Sequence, residues 1–459
     1  MAMGNWRAER QPPLWVATSE LAAPPGHPFY QQVNEVLRKH GFDRFVEGLC
    51  QKFYAPKMGR PSIPPGVYFR MLLIGYFEGI DSERGIAWRA ADSIALRHFL
   101  GYDPTERPSD HSTLSRTRRL LDLETHQEVF IWVLAVLAKE GVLKGKTLGV
   151  DATTLEANAA LRSIVRRETG ESYNEFLERL AKASGIETPR RADLAKLDRK
   201  RPGKGSNDDW EHPHDPEAEV TKMKDGRTHL SHKAEHATDM ASGAVVAVTL
   251  SGGAEGDTHT LPRTLQEAAR NLREVARDPE AKKHLSEKPG SEVVTDKGYH
   301  SNETCLRLRA KGIRSYISEP ERGRRNWRGK AKERGAVYAN RRRIRGKRGR
   351  GLLRKRGELL ERGFAHVYDR GGMRRLRLRG RANILKRLLV HVGGFNLSVA
   401  LRKLIGCGTP KGLGGRPFGV FGAVLELVWA CRRAATALLR GPSRRILVSA
   451  AARPTAVAA

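Results

Sequence analysis

The sequence predicts an α/β protein in which an all-α N-terminal domain precedes a mixed sheet flanked by helices. Three observations carry this. From Pro28 to Leu143 apolar residues recur at helical spacing. Beyond Lys146 short β-branched runs take over, and two of them end on an aspartate. The order there is three strands, helix, strand, helix, strand and a last helix.

Residues 1–27, rich in proline, are expected to be a flexible arm without a signal peptide. In the helical domain, 28–143, Phe29, Val33, Val36 and Leu37 mark one helix. After a proline-rich break at Met58–Gly66, Val67, Met71, Leu72, Ile74 and Phe77 mark another. Ser82–Leu100 and Ser109–Leu121 read as two further helices, the second capped by Ser109 or Asp110. That second helix carries Ser112, Thr113, Ser115, Arg116, Arg118 and Arg119. We single out Ser115, Arg116 and Arg119 for phosphate contact or groove reading, with a solvated face as the plain alternative. Val129–Leu137 is almost wholly apolar and reads as a buried helix.

In the next domain, 144–410, Lys146–Val150 is a strand that runs into Asp151. A charged, helix-prone insertion, Leu155–Asp225, separates it from strands at His229–Thr238 and Ala244–Leu250. A helix at Leu261–Ala276 leads to the strand Val293–Thr295, which delivers Asp296 at the turn of Gly298. A helix at Asn302–Lys311 and a strand at Arg314–Ser318 follow, and Gly357–Phe364 has helical spacing. Two strand-borne aspartates and the helix-borne Glu361 form a ligand set for a pair of hard divalent cations.

The formal charge of +32 over 459 residues excludes an ordinary small-molecule enzyme and favours a polyanionic partner, most simply nucleic acid. Its peak is Arg322–Arg356, in which ten of the seventeen residues Asn340–Arg356 are Lys or Arg; we read it as a loop following a phosphate backbone past the acids. Candidate DNA contacts are Arg341, Arg342, Arg343, Arg345, Lys347 and Arg348, with Lys297 and Arg362 beside the acids and Trp327 as a stacking surface. The four cysteines form no CxxC pair and read as reduced, cytoplasmic residues. Phe418–Cys431, 14 residues including Glu426, is short for a membrane span, so no membrane is expected.

Val150-Asp-Ala-Thr153, Asp296-Lys-Gly-Tyr299 and Glu361-Arg-Gly-Phe-Ala-His366 resemble, in this order, the three acidic motifs of bacterial insertion-sequence DDE transposases. Gly371-Gly-Met-Arg-Arg, Leu385-Lys-Arg and Gly393-Gly-Phe-Asn-Leu397 resemble the same family. Met58-Gly-Arg-Pro through Ser115-Arg is similar to the helical N-terminal domain of its InsH-like members. The resemblance spans about residues 28–410. It implies an RNase H-like catalytic domain, two Mg²⁺ ions that Mn²⁺ can replace, and DNA partners: terminal inverted repeats and target DNA. It also implies a homo-oligomer on DNA, with catalysis and metal binding at Asp151, Asp296 and Glu361.

The third motif departs from the family's spacing of Tyr, Arg, Glu and Lys. Counted from Glu361, the outer positions hold Arg354, Gly357 and Tyr368; counted from Glu358, Arg354 fits but Gly351 and Ala365 do not. Glu358 has Arg362 four residues on as an ordinary surface partner, so Glu361 is the preferred third acid. Glu156, Asp225, Asp239 and Asp257 are rival ligands. His229, His232 and His236 do not make a zinc site, because a strand puts His229 and His232 on opposite faces. His300 and His366, flanking the acids, read equally as phosphate contacts or as packing. A structure-selective nuclease and a non-enzymatic DNA-binding protein remain the alternatives. Residues 411–459 are an extension to which we assign no role.

Overall fold

The computed structural model describes residues 27–412 except 56–61, 104, 201–205, 224, 225, 322 and 324. The proposed arm, Asp225, Cys431 and nearly all of the C-terminal extension lie outside the described residues.

Among the described residues, seven α-helices come first: α1 (Pro28–Lys39), α2 (Phe42–Cys50), α3 (Pro65–Glu78), α4 (Glu83–Asp92), α5 (Ile94–Leu100), α6 (His111–Leu120) and α7 (Leu123–Lys139). The span expected as one helix from Ser82 is two, because Ser93 turns extended and its hydroxyl accepts from the Leu96 N–H, capping a new start. Asp110 and Asp122 cap α6 and α7 in the same way. Phe29, Tyr68, Phe69 and Phe130 are buried between these helices. Arg70, also buried, forms a fork to Asp43, the longer of its two bonds being 2.8 Å.

β1 (Thr147–Glu156) begins the sheet and continues past Asp151 to Glu156. The insertion carries β2 (Val165–Arg166), α8 (Tyr173–Ala183), α9 (Arg191–Lys200) and β3 (Trp210–Glu211). It has its own apolar cluster, including Ile164, Phe176, Leu177 and Trp210, and Arg166 lies over the Phe176 ring. β4 (Glu219–Lys222) returns to the sheet, so the insertion is shorter at both ends than the sequence suggested.

β5 (Thr228–Asp239), β6 (Val245–Gly252), α10 (Asp257–Val275), α11 (Pro279–His284), β7 (Glu292–Thr295), α12 (Asn302–Ala310) and β8 (Arg314–Ile317) follow. β6 and β4 pair with one edge of β5, and β1, β7 and β8 succeed one another on its other side. The β1–β5 and β5–β6 pairs are antiparallel, whereas β1–β7 and β7–β8 are parallel. This mixed sheet, with helices on it, is the RNase H-like arrangement.

The basic stretch is not a loop. It forms α13 (Ala331–Arg345) and α14 (Lys347–Phe364), the latter running into a π-helical turn, Ala365–Arg370. Arg and Lys are good helix formers, and Leu352, Leu353, Leu359 and Leu360 give α14 an apolar stripe for the sheet. Last comes α15 (Arg381–Ile405), which packs on α3, α7 and β6. Arg381–Gly412 is long and apolar enough to cross a membrane, yet 89% of its apolar window is buried within the protein.

On β6 and on β8 an asparagine occupies the backbone groups of one edge residue. Asn396 of α15 accepts from the Val245 N–H and donates to its carbonyl, both at 2.8 Å. Asn340 of α13 does the same to Ile317, at 2.9 and 2.8 Å.

Candidate active site

In the parallel register of β1 and β7, Gly149 lies opposite Val294. Asp151 stands two residues further along β1, and Asp296 is the first residue past the end of β7, two residues beyond Val294. Their charges interact: burial pushes the Asp151 carboxyl up, the nearby Asp296 adds to this, and Arg356 opposes it. Arg356 of α14 donates from Nη1 to Asp151 Oδ2 at 2.6 Å, and both side chains are largely buried. Gly149 permits this. A Cβ there would stand 2.6 Å from Met240 Sδ and 2.9 Å from Leu360 Cδ1, so with glycine at this position those side chains need not shift for α14 to settle this low on β1.

Asp296 caps a 3₁₀ turn, accepting from the Gly298 N–H at 2.9 Å. The turn is anchored by Tyr299, buried, whose hydroxyl donates to Glu235 Oε1 at 2.8 Å. Thr260 donates to the same oxygen at 2.7 Å. Burial holds the Glu235 carboxyl above its ordinary range. Beside it, Lys233 donates to Asp257 Oδ1 at 2.5 Å and to the Glu255 carbonyl at 2.9 Å.

Asp257, one of the rival acids in the sequence, opens α10 and comes up against the same glycine. A Cβ on Gly298 would lie 2.5 Å from Asp257 Oδ2 and 3.2 Å from Asp296 Oδ1. Sequence reasoning missed this proximity. The available signal was Lys233 and Glu235 two apart on a strand, which places two charges on one buried face.

Glu361 and Glu358 are both exposed on α14. At about 100° per residue, Glu361 lies about 100° around the helix from Leu360, which faces the sheet, and Glu358 about 160°. From Leu359, the other buried leucine of the stripe, the order reverses, so each glutamate lies about 100° from one sheet-facing leucine; Glu358 lies 3.8 Å from Arg362. The structure brings Asp151 and Asp296 together. Among the described residues, no three side chains of ligand type converge into a metal cluster, so Glu361 is not gathered with them.

A model of a transposase domain, DUF772, matches residues 19–120, and a model of the transposase DDE domain matches residues 207–397. The chain belongs to the insertion-sequence DDE transposases. Neither a curated protein nor a solved structure matches it. The second model takes in Asp296 and Glu361 but not Asp151, which the register of β1 on β7 brings towards Asp296. A transposase acts on DNA, and its family uses divalent metals. Two adjacent carboxylates with hard oxygen donors fit such an ion.

The basic side chains of the transposase divide into two groups. Arg341 forks to Glu319 with two bonds of 2.8 Å, Arg343 donates twice to Ser315 at 2.8 Å, and Arg348 pairs with Glu292. These three brace β8, β7 and the loop after them. Arg342, Arg345, Lys347 and Lys297 are exposed with no ion pair among the described residues. Arg362 is half-exposed beside Glu358.

On α6, Arg116 and Arg119 are exposed, and Ser115 accepts from Arg118 at 3.2 Å. Arg118 itself is buried against Glu83 and Asn383, which removes it from the exposed set. Trp327 packs edge-on to Tyr338 with Arg325 over its ring.

The histidines are dispersed. His232 bonds Asp215 at 3.1 Å and His236 bonds the Tyr368 hydroxyl at 2.7 Å. His229 lies 3.9 Å from Glu156. His300 is buried, and His366 is half-buried with its pKa lowered, first by burial and then by neighbouring arginines. Of the rival acids, Asp239 is spent on the turn at Gly145 and Ser242. Cys50, Cys305 and Cys407 are buried free thiols.

Proposed function

We propose that this transposase cuts and joins DNA at the terminal inverted repeats of its own element by phosphoryl transfer, with two Mg²⁺ ions held by Asp151, Asp296 and Glu361. Mn²⁺ would substitute. The observation that carries the reading is the proximity of Asp151, on β1, to Asp296, just past the end of the parallel neighbour β7, with the helix that bears Glu361 packed on the same sheet. Bound there, the cations supply charge stabilisation and an activated water or 3′-hydroxyl for in-line attack on phosphorus.

The protein's own part is positioning. Tyr299 and Glu235 fix the turn that presents Asp296, and Gly149 lets α14 approach Asp151. Lys297 and Arg362, adjacent to acids in sequence, steady the scissile phosphate. Residues 28–143 form the helical domain that recognises the element's end, in which Ser115, Arg116 and Arg119 contact DNA. Residues 144–410 form the catalytic domain, where Arg342, Arg345 and Lys347 follow the backbone. Arg341, Arg343 and Arg348, tied to protein partners, support that surface. The active species is a cytoplasmic homo-oligomer on paired ends.

The test is cleavage of a labelled duplex carrying the element's own end, in Mg²⁺, by wild type, Asp296→Ala, Glu361→Gln and Glu358→Gln. Cutting by wild type and Glu358→Gln only, with duplex binding kept by all four, is the expected result. Binding without cutting by wild type, where a control transposase cuts, would instead support a non-enzymatic DNA-binding role.

A further inference from the structure

We propose that Arg356 is a built-in counterion for Asp151: it holds the carboxylate until a divalent cation enters, and the released guanidinium then passes to a DNA phosphate. The inference rests on the acid centre proposed above. Arg356 Nη1 lies 2.6 Å from Asp151 Oδ2, with side-chain exposures of 15% and 22%. Water therefore screens the pair poorly. A divalent ion at Asp151 would face this guanidinium at short range, and the two cations compete for one carboxylate.

The guanidinium is also incompletely satisfied. Its Nε–H is buried and has no hydrogen-bond partner among the described residues. A buried donor left unpaired is unfavourable, and a planar guanidinium matches a phosphate with two parallel bonds. The aliphatic stem rests near Gly149, its Cγ 3.6 Å from where a Cβ would stand, so the head can swing while α14 stays seated. Exposed Arg342, Arg345 and Lys347, earlier along the same basic stretch, supply the charge that brings a phosphate backbone near. Loading of metal and of DNA is thereby coupled, and by linkage each strengthens the other.

The experiment is Mn²⁺ titration calorimetry on the full chain without DNA, comparing wild type with Arg356→Gln, Arg356→Met and Arg356→Lys. Methionine keeps an apolar stem on Gly149 if glutamine disturbs packing. Asp151→Asn is the control for the site. The neutral variants should bind Mn²⁺ about fivefold tighter or more, with Arg356→Lys close to wild type. A merely structural Arg356 would loosen the site instead. Equal or weaker binding by both neutral variants, with native circular dichroism, would overturn the counterion. Mn²⁺ binding indifferent to Asp151→Asn would remove the acid centre itself, and the counterion with it.

Discussion

At Gly298 a methyl group would meet two carboxylate oxygens, those of Asp257 and Asp296, at 2.5 and 3.2 Å. Both are ends of side chains, and Gly298 is not among the glycines with positive φ, so neither backbone strain nor unfolding is expected from Gly298→Ala. The substitution should shift Asp296 and lower end cleavage about 100-fold. Thermal stability should change by about 1 kcal/mol or less. Unchanged cleavage would mean that the turn tolerates the crowding and that Asp296 is not held tightly by it. Asp151 and Asp296 were legible in the sequence because each follows a β-branched or apolar run. Asp257 and Arg356 were not, because what makes them neighbours of the acids is strand register and the depth of α14, which no local pattern records.

Elements were legible where periodicity and turn chemistry agreed. β5, β6, α10, β7, α12 and β8 start and stop within a few residues of expectation, bounded by Gly243, Gly298 and Gly312. α13 and the first half of α14 were obscured because density of charge was read as looseness, whereas Gly357–Phe364, the second half of α14, was read as helical. The asparagine bridges at the sheet edges make a prediction at this scale. Asn396→Ala leaves the Val245 N–H and C=O without their partner in a fully buried place. It should cost about 2–4 kcal/mol in urea denaturation. Asn340→Ala should cost a similar amount through Ile317. Losses under about 1 kcal/mol in both would show that the edge strands hold without them.

Over the whole molecule the formal charge is +32, and its exposed part determines how binding responds to salt. Each cation that neutralises a phosphate releases counterions, and removing it flattens the slope of log K against log salt by about 0.9. Replacing Arg342, Arg345 and Lys347 together by alanine should therefore flatten it by about 2–3, measured by fluorescence anisotropy on a duplex end. Arg343→Ala should leave the slope nearly alone and lower stability, since its guanidinium is committed to Ser315. A slope unaffected by the triple substitution would remove that surface from the DNA path.

The amides of Asn396 and Asn340 also limit how copies of this chain can meet. A neighbour seeking to extend the sheet finds the Val245 and Ile317 backbone groups already occupied. Copies crowded side by side on DNA therefore have no free β-template at these positions on which to stack. Contacts between copies at these two positions must be made by side chains, and close crowding does not open a route to intermolecular β-structure through Val245 or Ile317.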